Sequence, residues 1–126
     1  ATLTGACMIA LGDVACGLMS EDDGLVELIQ DAAKASGDAV WRLPLQEAHR
    51  KAMKGHVGDL KNTGAREGGA LTAAGFLSYF AKGARWAHLD IAGTVWVDSA
   101  KPINPKGATG FGARLFAAIA EEAAKA

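Results

Sequence analysis

An apolar run, Val14-Ala15-Cys16-Gly17-Leu18-Met19, is followed at once by a stretch whose apolar residues recur with the period of a helix. This pairing narrows the fold more than any other feature of the chain. The run has the length of a buried strand, and Ser20 closes it. Leu25, Leu28, Ile29, Ala32 and Ala33 then fall at i, i+3, i+4, i+7 and i+8, which places them on one stripe of an α-helix. Ser20 and Asp23 have the spacing of a capping box, so the helix is expected to start there, and Gly37 supplies a left-handed stop. A strand fed directly into an amphipathic helix is the building block of α/β folds.

The remaining chain continues the alternation. Trp41-Arg42-Leu43-Pro44-Leu45 reads as a kinked apolar link, and Gln46 to Lys54 as a second helix ended by Gly55. Residues 57–69 are glycine-rich and polar, and helix resumes at Ala70, where Leu71, Ala74, Leu77 and Ala81 face one way with Phe76 and Phe80 beside them. Trp86 to Ala92 alternates as a strand does: Ala87, Leu89 and Ile91 on one side, Trp86, His88 and Asp90 on the other. Gly93 to Gly112 is expected to be a loop held by Pro102 and Pro105, and Leu115, Phe116, Ile119, Ala120 and Ala123 mark a closing helix. With no repeat and no linker, the class is α/β. Function in such folds sits in loops beyond the carboxyl ends of strands, which directs attention to Thr4-Gly5, the 58–69 loop and the 93–98 segment.

Composition adds exclusions. Half the residues are apolar, enough for an ordered core, and 13 basic against 14 acidic side chains leave a formal charge of −1, without the basic patch that nucleic acid or an anionic membrane surface would call for. No apolar run approaches the roughly 20 residues needed to span a bilayer, so a cytoplasmic protein without a membrane partner is the expectation. Cys7 and Cys16 each lie in an apolar stretch and read as small buried hydrophobes rather than a disulfide.

His88 and Asp90, two apart on a strand, could form a metal pair or a catalytic dyad; equally, their face could pack on a helix with both side chains satisfied by hydrogen bonds. His49 and His56 do not have the spacing of a helical zinc motif. GAREGGA lacks the lysine and hydroxyl residue of a phosphate-binding loop, and GATGFG at 107–112 reverses the glycine spacing of a dinucleotide site, so these glycines are turns. No serine sits in a nucleophile elbow.

ATLTGA followed by ALG, then VWRLPL, DLKNTG, GGALTAA, WAHLDIAG and KGATGFG, come in the order and at the spacing of the leucyl aminopeptidase (cytosol aminopeptidase) family, which this chain resembles over nearly its whole length. The resemblance implies a two-metal exopeptidase that removes N-terminal residues from peptides, built on a mixed sheet flanked by helices, an incomplete three-layer sandwich here, and assembled as a homo-hexamer. It implies two divalent metal ions, zinc or manganese, held largely by an Asn-Thr-Asp-Ala-Glu-Gly-Arg motif upstream of ATLTG. That motif does not occur in the chain, where Asn62-Thr63-Gly64-Ala65-Arg66-Glu67 is the nearest lookalike. Residues 1–126 therefore correspond to the C-terminal portion of a single catalytic domain, with its N-terminal part as a required partner, and are expected to hold neither metal ligand nor catalytic residue.

By the same resemblance, Leu3 presents its carbonyl and Gly5 its amide to the backbone of the peptide substrate, with Thr2 on the same wall. Glycine lets a substrate backbone approach closely. Ala92 and Val95 line the pocket for the departing N-terminal side chain, several relatives having Met where Val95 stands, and Thr63 matches a position on the following pocket. The family places no metal ligand on the strand of His88 and Asp90, which become structural support for Ala92. The alternative class is a non-catalytic assembly or DNA-binding module derived from the same family.

Overall fold

The computed structural model describes residues 4–125. Its elements, in order, are α1 (Gly5–Leu11), β1 (Cys16–Met19), α2 (Asp23–Ser36), β2 (Val40–Arg42), α3 (Glu47–Lys51), α4 (Gly69–Ser78), β3 (His88–Asp90), β4 (Trp96–Val97), β5 (Gly107–Ala108) and α5 (Ala113–Ala123). β1 is central in a three-stranded mixed sheet of order β2-β1-β3, parallel to β2 and antiparallel to β3. In this register Leu18 faces Leu89 and Gly17 faces Asp90.

Two apolar layers form because β1 alternates. Cys16 and Leu18 point to one side and join Val26, Ile29, Ala32 and Ala33 of α2, Leu89 of β3 and Leu115 of α5. Met19 points to the other side, where Cys7 of α1, Leu45, and Ala70 and Ala74 of α4 enclose it. Helices therefore cover both faces of a mixed sheet, as expected. Gly17 permits the second layer, since a Cβ there would sit 2.9 Å from Cys7 Sγ. Both cysteines are buried and free, and burial pushes the Cys16 thiol up to about 12, so both act as packing.

The start of α2 differs from the sequence expectation. The cap is Asp22, whose carboxylate accepts from Leu25 N at 2.9 Å. Ser20 is drawn elsewhere: its hydroxyl donates to the Trp86 carbonyl at 2.7 Å and accepts from Asp22 N. Arg85 pairs with Asp22 in a fork, Nε to Oδ2 at 2.6 Å and Nη2 to Oδ1 at 2.9 Å. The Arg85 guanidinium, with the Leu25 amide behind it, holds the Asp22 carboxyl well below the ordinary carboxylate range. A lowered folded value means that stabilisation is complete above the unfolded pKa of about 4 and is lost progressively as pH falls towards the folded one. Asp22→Ala is thus expected to lower the urea midpoint of the chain at pH 7, with a gap to wild type that narrows steadily as the pH is taken below about 4. A gap that is flat or widens over that range would exclude the pairing.

The segment 41–45 is not only a link, because its first two residues belong to the edge strand β2, Val40–Arg42. The expected loop 93–112 contains a short antiparallel ladder, Trp96 opposite Ala108 and Val97 opposite Gly107. The cap position before α5 is Gly112, whose φ of 95° suits glycine and which offers no side chain to cap the helix. Asp38, 4% exposed, caps it from across the fold: Oδ2 accepts from Gly112 N at 3.2 Å and Leu115 N at 3.3 Å, while Oδ1 accepts from Arg114 at 2.9 Å. No helix among the described residues is long and apolar enough to cross a membrane.

Candidate functional site

Gly5 is the first residue of α1 and is exposed. Its φ is not positive, and among the described residues, its chain neighbours and the backbone of its own helix apart, no atom lies within 4 Å of the position a Cβ would take. Glycine is therefore not demanded here by backbone geometry or by packing. The space it leaves opens outward, at a helix start whose first amides have no partner within the helix.

Ala92 and Val95 lie in the turn that follows β3, both half-buried. One carboxylate joins this turn to the Gly5 turn: Asp90 Oδ1 accepts from Thr4 N at 2.9 Å and from Ala92 N at 3.2 Å. The bond to Ala92 is the local i to i+2 bridge that aspartate makes readily; the bond to Thr4 crosses the fold. The turn is fixed further along as well. Thr94 N and Oγ1 both donate to the Ile91 carbonyl, Thr109 Oγ1 donates to the Thr94 carbonyl at 2.6 Å, and Thr109 N donates to the Val95 carbonyl at 2.9 Å. Beneath it Gly93 touches the other end of α1, since a Cβ on Gly93 would collide with the carbonyl of Gly12. Residues 90–95 thus grip α1 at both ends, and the 107–112 glycine segment backs the grip.

The structure brings Gly5, Ala92 and Val95 onto adjoining segments. Thr63 is exposed on the 60–68 loop, and among the described residues no hydrogen bond or ion pair ties it to those three. That loop packs instead through Gly64, against Thr72 and Met53. Thr2 and Leu3, the other expected substrate contacts, lie outside the described residues. A neighbouring cleft of about 500 Å³, lined in part by Asp13, Asp38, Gly93, Thr94, Lys101 and Arg114, includes neither Gly5 nor Ala92 nor Val95.

His88 and Asp90 are 3% and 0% exposed. Burial pushes the His88 imidazole below its ordinary value, and the ring stacks on Trp86 with centroids 6.1 Å apart. Among the described residues no group of three or more His, Cys, Asp or Glu could hold a metal ion. The donor set of these residues thus does not fit a metal centre, and what their arrangement can do is bind and orient. The joint made by Asp90 and the fit of Gly93 on Gly12 are the parts of the site that sequence reading missed. The i to i+2 spacing of Asp90 and Ala92 was the available signal for the first.

A mixed sheet with helices on both faces and loops at the strand ends defines an α/β protein. Residues 1–117 match the cytosol aminopeptidase family, catalytic domain. Probable cytosol aminopeptidases from Parasynechococcus marenigrum and Synechococcus elongatus are 52% and 56% identical to it over 118 and 116 residues, covering 93% and 92% of this chain. The chain spans 24% of the length of each of these two relatives. Among solved structures, a tomato leucine aminopeptidase variant superposes with a TM-score of 0.85 at 42% identity, covering 93% of this chain and 22% of its own. A bottromycin maturation enzyme superposes with a TM-score of 0.93 at 35% identity, covering 100% and 28%. The chain belongs to the cytosol aminopeptidase family.

Proposed function

We propose that this chain is the substrate-positioning part of a two-metal leucyl aminopeptidase that hydrolyses N-terminal residues from peptides. The observation that carries the reading is the single carboxylate oxygen of Asp90 holding the amides of Thr4 and Ala92. It joins the turn that would meet the substrate backbone to the turn that would receive the N-terminal side chain. In this reading Leu3 and Gly5 bind the peptide backbone, Thr2 completes their wall, Ala92 and Val95 form the first pocket and Thr63 belongs to the next. In the same reading both metal ions, zinc or manganese, and the residues that use them belong to the remainder of the protein. The same reading takes the intact protein to be a cytoplasmic homo-hexamer. Positioning of this kind contributes several kcal/mol to lowering a barrier, up to roughly 7–11 in well-oriented systems, without any ionising group.

The test compares the 126-residue chain with the full-length protein that carries it, each supplied with zinc or manganese and a leucyl-peptide substrate. The full-length protein should hydrolyse the substrate and lose activity to a chelator, and the chain alone should not. Chelator-sensitive hydrolysis by the chain, its mass verified, would overturn the division of labour; an inactive full-length protein would overturn the activity itself.

The pocket is tested separately. In the full-length protein Ala92→Phe should lower kcat/KM for leucyl substrates at least tenfold more than for alanyl ones. One methylene in such a pocket is worth about 1–3 kcal/mol, and a phenyl ring fills more volume than that. Equal losses for both substrates would make Ala92 a packing residue only.

A further inference from the structure

Asp90 lies on the α1 side of the sheet, wholly buried, and uses its two oxygens unequally. Oδ1 accepts both amides described above, whereas Oδ2 is buried without a hydrogen-bond partner among the described residues. The strand's backbone is occupied too, the Asp90 carbonyl lying 3.7 Å from Cys7 Sγ. A buried carboxylate with one oxygen unsatisfied works against folding. Around it this layer holds the apolar side chains of Met19, Leu45 and Ala74, with the buried His88 imidazole on the same strand face. A buried carboxyl group with one oxygen left unsatisfied points to a task at the site rather than to packing.

The task follows from what Oδ1 holds. Thr4 N is the amide immediately before Gly5, and Ala92 N is the amide of the expected pocket residue, so one atom sets the separation of the two walls. The Gly12–Gly93 contact at the far end of α1 prevents the helix from pivoting away while that separation is held. We propose that Asp90 is a positioning residue for the aminopeptidase reaction, fixing the gap between the Gly5 wall, which meets the substrate backbone, and the Ala92–Val95 wall, which meets the departing side chain. It touches no substrate itself. The proposal rests on the substrate-positioning reading above.

In the full-length protein, Asp90→Ala should lower kcat/KM for leucyl-p-nitroanilide by about a hundredfold, the loss that a misplacement of about 1 Å produces. It should also change the leucyl-to-alanyl preference by at least about fivefold, through KM as well as kcat, because the gap sets which side chain fits. Asp90→Asn, which keeps an acceptor oxygen in the Oδ1 position, should restore at least about tenfold of the loss together with the wild-type preference. Each variant is assayed below its own melting transition. A merely structural role would reduce the active fraction equally for both substrates, leaving KM and the preference unchanged, and that result overturns the proposal. Should the alanine variant not fold, Thr4→Pro removes the same bond from the donor side and should shift the preference in the same way; an unchanged preference there overturns it equally. An inactive wild-type full-length protein would refute the aminopeptidase reading, whereas an active one with insensitive variants refutes Asp90 alone.

Discussion

Gly93→Ala is expected to destabilise the chain by about 3 kcal/mol, at the upper end of what one added methyl costs in a packed interior. The added carbon would meet the backbone carbonyl of Gly12, not a side chain that could rotate away. Gly93 has no positive φ, so the substitution brings no conformational strain of its own and the effect is purely one of contact. Relief requires α1 to lift from the sheet, which would also uncover Cys7 and Met19. Urea denaturation followed by circular dichroism measures it, and a midpoint equal to that of the unaltered chain would show that α1 does not seat on this turn.

The second large effect is on turnover alone. Gly5→Val in the full-length protein should cut the rate on leucyl peptides by about a hundredfold, since the branched side chain fills the space through which a substrate backbone would approach. Stability should stay close to wild type. Left-handed strain, worth roughly 1–2 kcal/mol, does not arise, because Gly5 is not in that region, and the space at its Cβ position is open. Valine is moreover no worse than glycine inside a helix. A variant that melts normally, keeps its metal content and cleaves at the wild-type rate would remove Gly5 from the site. One that melts early would trace the loss to folding instead.

Both effects sit where the sequence was hardest to read. The stripe from Leu25 to Ala33 and the stop at Gly37 identified α2 because a helix that buries one face must repeat that face every turn. Alternation put Leu89 in one layer and Trp86 in the other, as the structure has them. The cap was misread by two residues, since Ser20 has the chemistry of a cap but is claimed by the Trp86 carbonyl, a partner 66 residues away that no local pattern reveals. β2 was read as a link because three residues followed so closely by Pro44 carry no period. β4 and β5, two residues each, are held by pairing across a glycine-rich segment and not by their own propensity. At the site, Gly5, Ala92 and Val95 were named through family resemblance, whereas what binds their turns together, Asp90 to Thr4, depends on a contact that exists only once the chain is folded.

That contact also orders events in time. Thr4 and Asp90 are 86 residues apart, so their bond closes a loop of more than half the chain, whereas β1 finds β2 across α2 alone, Cys16 beside Val40. Closing a loop costs more entropy the longer it is, though only logarithmically, and distant partners meet late in folding. The unit of β1, α2 and β2 can therefore nucleate while Gly5 and Ala92 are still apart. In the reverse direction α1 is a single two-turn helix held by the Asp90 carboxylate, the Gly12–Gly93 contact and the packing of Cys7, a short element of the kind that opens locally at less cost than the whole domain. The layer built on α2 can consequently stay folded while Gly5 and Ala92 stand apart, so that in the substrate-positioning reading a bound peptide would be a source of order at α1 and not merely a beneficiary of it.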